Sequence, residues 1–397
     1  MRKSLLNAII VAALALFFFL PLIAQNNDRP SAVFTVNEAS DAVDIAPGDG
    51  ICADSVGNCT LRAAITEANS TTARDTVNFV GDLASIITLT RGPLTIENPI
   101  TISGPGARNL TVQRTTTTNA SLFVLFDIKA ETAISGLTLK NGSGGTGGAV
   151  RSFANIYLSE LVISGNTANF GAAVYFGDLA PFNFSVIERC LINGNIARGQ
   201  GGAIYTSPEA WVIVRSSTIT ENRAQQAGAI ANNGWTVLVN NTIVRNSARF
   251  WSQLVNPPGN KLELVNNIVG SERERSTGAI SGPIASLGGN LILNAVGSTG
   301  WVSSDILTES DPHLGGLSNN GGPTDSISPL LGSRAIDGGE SCVTLISGCF
   351  GLQEYSVLFD QRGYRRAFGR VDIGAIEVNS STIPAEAKLA AAKPLFH

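Results

Sequence analysis

The chain has 397 residues, of which 44% are hydrophobic and 15% charged, with a net charge of −4; an average globular domain carries about 25% charged residues. Ample apolar surface and a small net charge exclude an intrinsically disordered chain. A neutral surface rich in Asn, Ser, Thr and Gly lacks the basic stripe of a nucleic-acid binder and suits an extracellular or sugar-facing protein.

Residues 1–24 have the layout of a secretory signal peptide: Arg2 and Lys3, an apolar run from Leu5 to Leu20, then Pro21 and Ala24 before Gln25. The rival reading is an uncleaved membrane anchor. No second apolar run of spanning length follows, so the mature chain is expected to carry no transmembrane span. Cys52 and Cys59 are seven apart, as are Cys342 and Cys349, which in an exported chain predicts two small disulfide loops. Cys190 is left over and is expected as a buried small hydrophobe.

Residues 25–75 read as an N-terminal cap. Phe34-Thr-Val36 is a short strand, and Thr60 is placed to N-cap a helix in which Leu61, Ala64, Ile65 and Ala68 share one face. Such a helix covers a sheet edge that would otherwise template aggregation. Asp49 and Asp54 flank Cys52 and offer oxygens to a structural calcium, although the spacing is no EF-hand and a turn is the plainer account. No other metal site and no cofactor is expected.

From residue 76 to 300 the pattern is short alternating strands rich in β-branched residues. A unit recurs within it: Leu139-Lys-Asn141, Ile163-Ser-Gly-Asn166, Ile192-Asn-Gly-Asn195, Ile219-Thr-Glu-Asn222 and Ile243-Val-Arg-Asn246. The asparagines are 25, 29, 27 and 24 residues apart, a period that means a stacked architecture. Glycine-rich corners such as Gly147-Gly-Ala-Val150 and Gly201-Gly-Ala-Ile204 follow. Coils of roughly 25 residues stacking about 4.8 Å apart line a core with Ile, Leu and Val. They also place Asn141, Asn166, Asn195, Asn222 and Asn246 over one another, so that each amide satisfies the next. The predicted fold is all-β, a right-handed parallel β-helix with an N-terminal capping helix and an irregular C-terminal cap over 301–378. Residues 379–397 are a tail, disordered or a short helix.

Two stretches resemble a family of exported bacterial proteins. Asn58-Cys-Thr-Leu-Arg-Ala-Ala-Ile-Thr-Glu-Ala-Asn69 is similar to the CSLREA motif, with Thr60 for Ser and Ala63 for Glu. Asn320-Gly-Gly-Pro-Thr324, Ala335-Ile-Asp337, Asp360-Gln-Arg-Gly363 and Asp372-Ile-Gly-Ala-Ile-Glu377 resemble the choice-of-anchor Q domain. The repeats between them resemble polymorphic outer-membrane repeats and pectate-lyase-like β-helices. The resemblance implies an exported, often surface-held β-helix of mostly unassigned activity.

The same fold carries polysaccharide lyases and hydrolases, so catalysis is weighed on residues. Glu209, Glu221 and Arg223 are the catalytic candidates; Glu221 and Arg223 share a face if their segment is extended, and Arg223 stacks near Arg198 or Arg249. The bland account is a solvated face with modest ion pairs. Arg362, Arg365, Arg366 and Arg370 either bind an anionic polymer or pair with Asp360, Asp372 and Glu377 inside the cap. Aromatic residues concentrate between 170 and 251; Tyr175, Tyr205, Trp211, Trp235 and Trp251 are the candidates for holding sugar faces, against the alternative that the rings stack on one another. The leading expectation is a non-catalytic secreted or cell-surface β-helix in adhesion or glycan contact, with a polysaccharide or cell-surface glycan as partner. The alternatives are a carbohydrate-active enzyme and a structural surface-layer component.

Overall fold

The computed structural model describes residues 31–178, 184–250, 253–270, 278–349, 355–366 and 370–378. The expected signal peptide, the tail, Phe182 and Trp251 lie outside the described residues.

Short apolar runs bounded by Gly, Asn and Ser make strands of two to five residues too small to stand alone, and each finds its partner one coil away. Among the described residues these strands form three long sheets of ten, ten and nine strands and one corner sheet of four. Within each sheet every pairing between these strands is parallel and joins successive coils; Leu158, for instance, lies between Ile134 and Ile187. A coil passes from sheet 1 (as in Ile156–Ser159) to sheet 2 (Val162–Ser164), the corner sheet (Thr167–Phe170) and sheet 3 (Val174–Phe176). The result is a parallel β-solenoid of about 8 turns, consistent with a right-handed β-helix.

Register turns the sequence alternation into columns. Val77, Ile102, Ile134, Leu158, Ile187, Val214, Leu238 and Leu264 descend inside sheet 1. Val112, Leu139, Ile163, Ile192, Ile219, Ile243 and Val269 do so inside sheet 2. They form one continuous core from Phe34 to Ile292. Each such side chain removed from water contributes about 1.5–3 kcal/mol.

The solenoid extends beyond 76–300 at both ends. Val33–Val36 pairs with Asp75–Phe79 and heads sheet 1 rather than belonging to a separate cap. Ile306–Thr308 adds a last rung beside Leu291–Leu293. Helix α1 (Leu61–Ala68) closes the first coil, with the Thr60 hydroxyl accepting from the Ala63 amide and Leu61, Ala64, Ile65 and Ala68 buried in the core. Polar residues of the same motif tie the helix to its surroundings: buried Glu67 accepts from the amides of Gly48 and Gly50, Arg62 holds Asp41 at 2.7 Å, and the Asn69 amide donates to the Thr95 carbonyl. The disulfides Cys52–Cys59 and Cys342–Cys349 are formed, and Cys190 is free and buried.

At the corner after sheet 2, the side-chain amide of each asparagine donates to the next one's Oδ1: Asn166 to Asn195 at 2.9 Å, Asn195 to Asn222 at 2.8 Å and Asn222 to Asn246 at 2.8 Å. The same Oδ1 atoms accept the backbone N–H of the preceding asparagine, and Gln253 ends the row beneath Asn246. Asn141 is not a rung. Thr138, Leu139 and Lys140 pair with Val162, Ile163 and Ser164, so Asn141 falls one residue early, and it is the Gly142 amide that donates to Asn166 Oδ1. Asn141 instead has φ 62°, the left-handed conformation also taken by Gly165, Gly194, Glu221 and Arg245.

A second ladder, not expected from the sequence, descends the corner between sheets 1 and 2. It runs Asn241 to Asn267 at 3.0 Å, Asn267 to Asn290 at 3.1 Å, and Asn290 to Asp305 at 3.0 Å.

The C-terminal segment differs in position from the expected cap. Val343, Cys349, Tyr355, Val357 and Val371 pack on outward Val186, Ile213, Val237, Val239 and Val265 of sheet 1. Leu314, Ile327, Ala335 and Ile373 pack on Val244, Ile268, Leu291 and Leu293 of sheet 2. The segment thus runs back along the flank, and Asp325 reaches Arg108 of an early coil at 2.7 Å.

Asn222→Ala strands the Asn195 amide and the carbonyls of Ile192 and Thr220, and is expected to cost about 2–4 kcal/mol. Asn141→Gly, at a left-handed position outside the ladder, is expected to stay within about 0.5 kcal/mol of wild type. Urea unfolding of both variants checks the contrast.

Candidate functional site

The catalytic candidates do not converge. Glu209 is exposed at the corner between sheets 3 and 1, whereas Glu221 and Arg223 are exposed on either side of ladder residue Asn222, after sheet 2. Glu221 has φ 59°, so its segment is not extended and the two side chains do not share a strand face. Arg223 pairs in register with Ile196 and Ser247, and not with Arg198 or Arg249. The carboxylates near Cys52 serve turns: Asp49 accepts from the Ile51 amide, and Asp54 from the amides of Val56 and Asn58. Among the described residues no group of three or more His, Cys, Asp or Glu is arranged to hold a metal.

In the C-terminal segment, Arg362 pairs with Asp360 at 2.6 Å and fully buried Arg366 with Glu377 at 3.4 Å. Arg370 is exposed.

In-register stacking sets same-face side chains about one strand spacing apart, a distance that suits aromatic stacking. Trp211 and Trp235 use it, with ring centroids 4.3 Å apart and planes 4° from parallel. Phe184 packs on one side of the pair and the Lys261 ammonium lies 4.2 Å over the Trp235 ring on the other. Both indole N–H groups are buried. These two tryptophans are therefore occupied by their own column and offer no open ring face. Tyr175 and Tyr205 likewise stack, 5.3 Å apart and 6° from parallel, on the outer face of sheet 3. Here the flanks are open: Phe153 packs edge-on to Tyr175 and remains 47% exposed, and Phe170 tilts against Tyr205 and remains 38% exposed. Burial, aided by the neighbouring ring and Asp178, pushes the Tyr175 phenol up; burial and Asp178 do the same for Tyr205, so both stay neutral donors. Arg151, held by Asp127 through two bonds of 2.9 and 2.7 Å, lies 5.9 Å from the Phe153 ring.

A strongly perturbed carboxylate lies on the other flank and was missed in the sequence. Glu188 is buried and accepts from Arg189 at 2.9 Å, Arg215 at 3.0 Å and the Tyr157 hydroxyl at 2.5 Å. Arg189 also reaches Glu160 at 3.1 Å. Burial alone raises the Glu188 carboxyl, but Arg215 and Arg189 outweigh it and hold it down at about 2. The cluster is enclosed, with Arg215 also donating to the Ser356 carbonyl of the C-terminal segment. Its chemistry is structural: a carboxylate that stays charged and orients two guanidinium groups.

Residues 189–207 match the Chlamydia polymorphic membrane protein repeat. That stretch is one corner, a sheet 2 strand (Leu191–Asn193), ladder residue Asn195, a corner-sheet strand (Ile196–Gln200), a glycine turn and a sheet 3 strand (Ile204–Thr206). No curated protein and no solved structure matches the chain. The repeat match and the solenoid together fit a β-helix protein of the surface or outer-membrane type. No helix among the described residues is long and apolar enough to cross a membrane.

Glu188→Gln is expected to lower stability near neutral pH by about 3–5 kcal/mol, because two buried guanidinium groups lose their carboxylate. Since the folded carboxyl titrates below its unfolded value, its contribution is complete above the ordinary carboxylate range and disappears as the pH falls toward about 2. The gap between wild type and variant in denaturant titrations should therefore narrow over that acid window.

Proposed function

We propose that the protein works without catalysis, as an exported or cell-surface β-helix that contacts a glycan through the outer face of sheet 3. The observation that carries this reading is the open aromatic group on that face, with Phe153 and Phe170 flanking the Tyr175–Tyr205 stack. Sheets 1 and 2 have apolar outer positions occupied by the C-terminal segment, which leaves sheet 3 as the long face with rings turned to solvent. Exposed aromatic edges and faces beside neutral hydroxyl donors are suited to the mixed apolar and polar surface of a sugar. Along the outward column of sheet 3 the rings occupy two coils, between Arg151 and Ala231, which suits a short stretch of glycan lying across them. A lyase or hydrolase requires acidic or basic groups facing one bond, and the separation of Glu209 from Glu221 and Arg223 gives that alternative no support.

The test is retention of the purified chain on a glycan array and on intact cells. Binding is expected, and Phe153→Ala combined with Phe170→Ala is expected to weaken it by about tenfold or more, roughly the loss of two aromatic contacts. Absence of retention on every glycan and cell surface would overturn the reading. Release of unsaturated or reducing sugar ends from a polysaccharide panel would replace it with the enzymatic one.

A further inference from the structure

We infer that the described C-terminal residues, 311–349, 355–366 and 370–378, form a strap that opens as a unit from a solenoid complete without it, and so uncovers a largely apolar strip on sheet 1. Among the described residues, the core that runs from Phe34 to Ile292, with Trp301 packed against its end, contains none beyond 301. The described apolar contacts of the strap are with outward positions. Its main seam covers Val186, Ile213 and Val237, which follow one another in register, together with Val239 and Val265. Earlier in the same outward column stand Thr101, Ala133 and Tyr157. Three aliphatic residues thus follow Thr101 and Ala133 in this column, with Tyr157 packed at the edge of the seam and Glu263, after Val237, accepting from the strap's Tyr355 hydroxyl; the surface under the strap is largely apolar, as in one made to be covered.

Polar stitches follow the corner between sheets 1 and 2, where Arg189, Ser216, Asn240 and Asn266 take left-handed φ in successive coils. Thr324 donates to the Arg189 carbonyl. Buried Gln361 donates to the Cys190 carbonyl at 3.3 Å and accepts from Thr218 at 2.6 Å. Ser216 donates to the Phe359 carbonyl, Asn240 to those of Asp372 and Gly374, and Asn266 exchanges two bonds with the backbone of Glu340. Thr324, Gln361, Asp372 and Gly374 of the quoted motifs, together with Phe359 and Glu340 outside them, thus contact four stacked corners.

The strap is held to itself by polar bonds rather than by regular structure: Asp360 accepts from the amides of Arg362, Tyr364 and Glu377, Asp372 from those of Asp337 and Val378, and Cys342–Cys349 closes a loop. Its described regular structure is one short 3-10 turn, Ser341–Thr344, and four isolated antiparallel bridges. Docking also encloses a cation: among the described residues Arg366 has one carboxylate partner, Glu377 at 3.4 Å, with the Gly374 carbonyl at 2.9 Å and the Ser216 hydroxyl at 3.4 Å, while its Nε is buried without a hydrogen bond. Desolvating that charge opposes closure. A unit bonded within itself, with its apolar contacts to the coils on one side and an underlying core that does not need it, is the kind that opens below the free energy of global unfolding.

The experiment uses two thiols in the full chain. Val237→Cys places one beneath the strap, and native Cys190, buried inside the solenoid core, reports the opening of the coils themselves. Under native conditions with the disulfides intact, the thiol at 237 is expected to react with a maleimide about 100-fold faster than Cys190, yet far slower than a free thiol. Adding Gln361→Ala is expected to speed the reaction at 237 by about tenfold and leave Cys190 unchanged. Val265→Cys serves as the reporter if the first variant folds poorly. Equal rates at the two thiols, a parallel rise in both with Gln361→Ala, or free-thiol reactivity at 237 would overturn the inference.

Discussion

The hydrogen bond from one asparagine amide to the next, Asn166 to Asn195 to Asn222 to Asn246, is the constraint on which the rest of the structure depends. Apolar columns resist a one-residue slip, which turns every side chain to the other face, but tolerate a slip of two, because one aliphatic side chain replaces another at small cost. A buried amide does not. Each Oδ1 accepts from both the side chain and the backbone of the coil before it, so a slip leaves several buried donors unpaired at once. With register fixed at that corner, and again by Asn241, Asn267 and Asn290 at another, every outward residue is assigned a neighbour one coil away.

That assignment explains where charge and rings end up. Glu188 and Arg215 are far apart in sequence but adjacent in sheet 1, and the pair then draws in Arg189 and Tyr157. The tryptophans at 211 and 235 stack because register puts them side by side. So do the tyrosines at 175 and 205. The same rule that builds the columns also uses up ring faces; among the described residues the open phenylalanine rings lie at the margins, Phe153 and Phe170 at the flanks of the sheet 3 group and Phe250 after the last corner strand.

Much of this was legible in the sequence, for physical reasons. A repeating coil must return Ile, Leu or Val to the same inward positions, and a buried polar corner residue has few alternatives to Asn, so the solenoid, the capping helix at Leu61–Ala68 and four of the five ladder positions announce themselves. Asn141 misled because only one residue separates it from Leu139, where two separate Asn166 from Ile163; register decides between rung and corner, and one residue changes the role. The second ladder had a visible signal in the Asn240-Asn241 and Asn266-Asn267 doublets, in which the first residue turns left-handed and the second points inward. The flank position of residues 311–378 had none. Turn-rich sequence specifies local bends, and its docking rests on contacts between residues such as Gln361 and Cys190, 171 positions apart.

A double-mutant cycle on Asn195 and Asn222, read by denaturant unfolding, tests the stacked-amide account most directly. Direct contact in one hydrogen-bonded row requires a coupling of about 1–3 kcal/mol between the two alanine substitutions, whereas the same cycle on Asn141 and Asn222 should be additive within about 0.5 kcal/mol. Additivity between Asn195 and Asn222 would contradict the account.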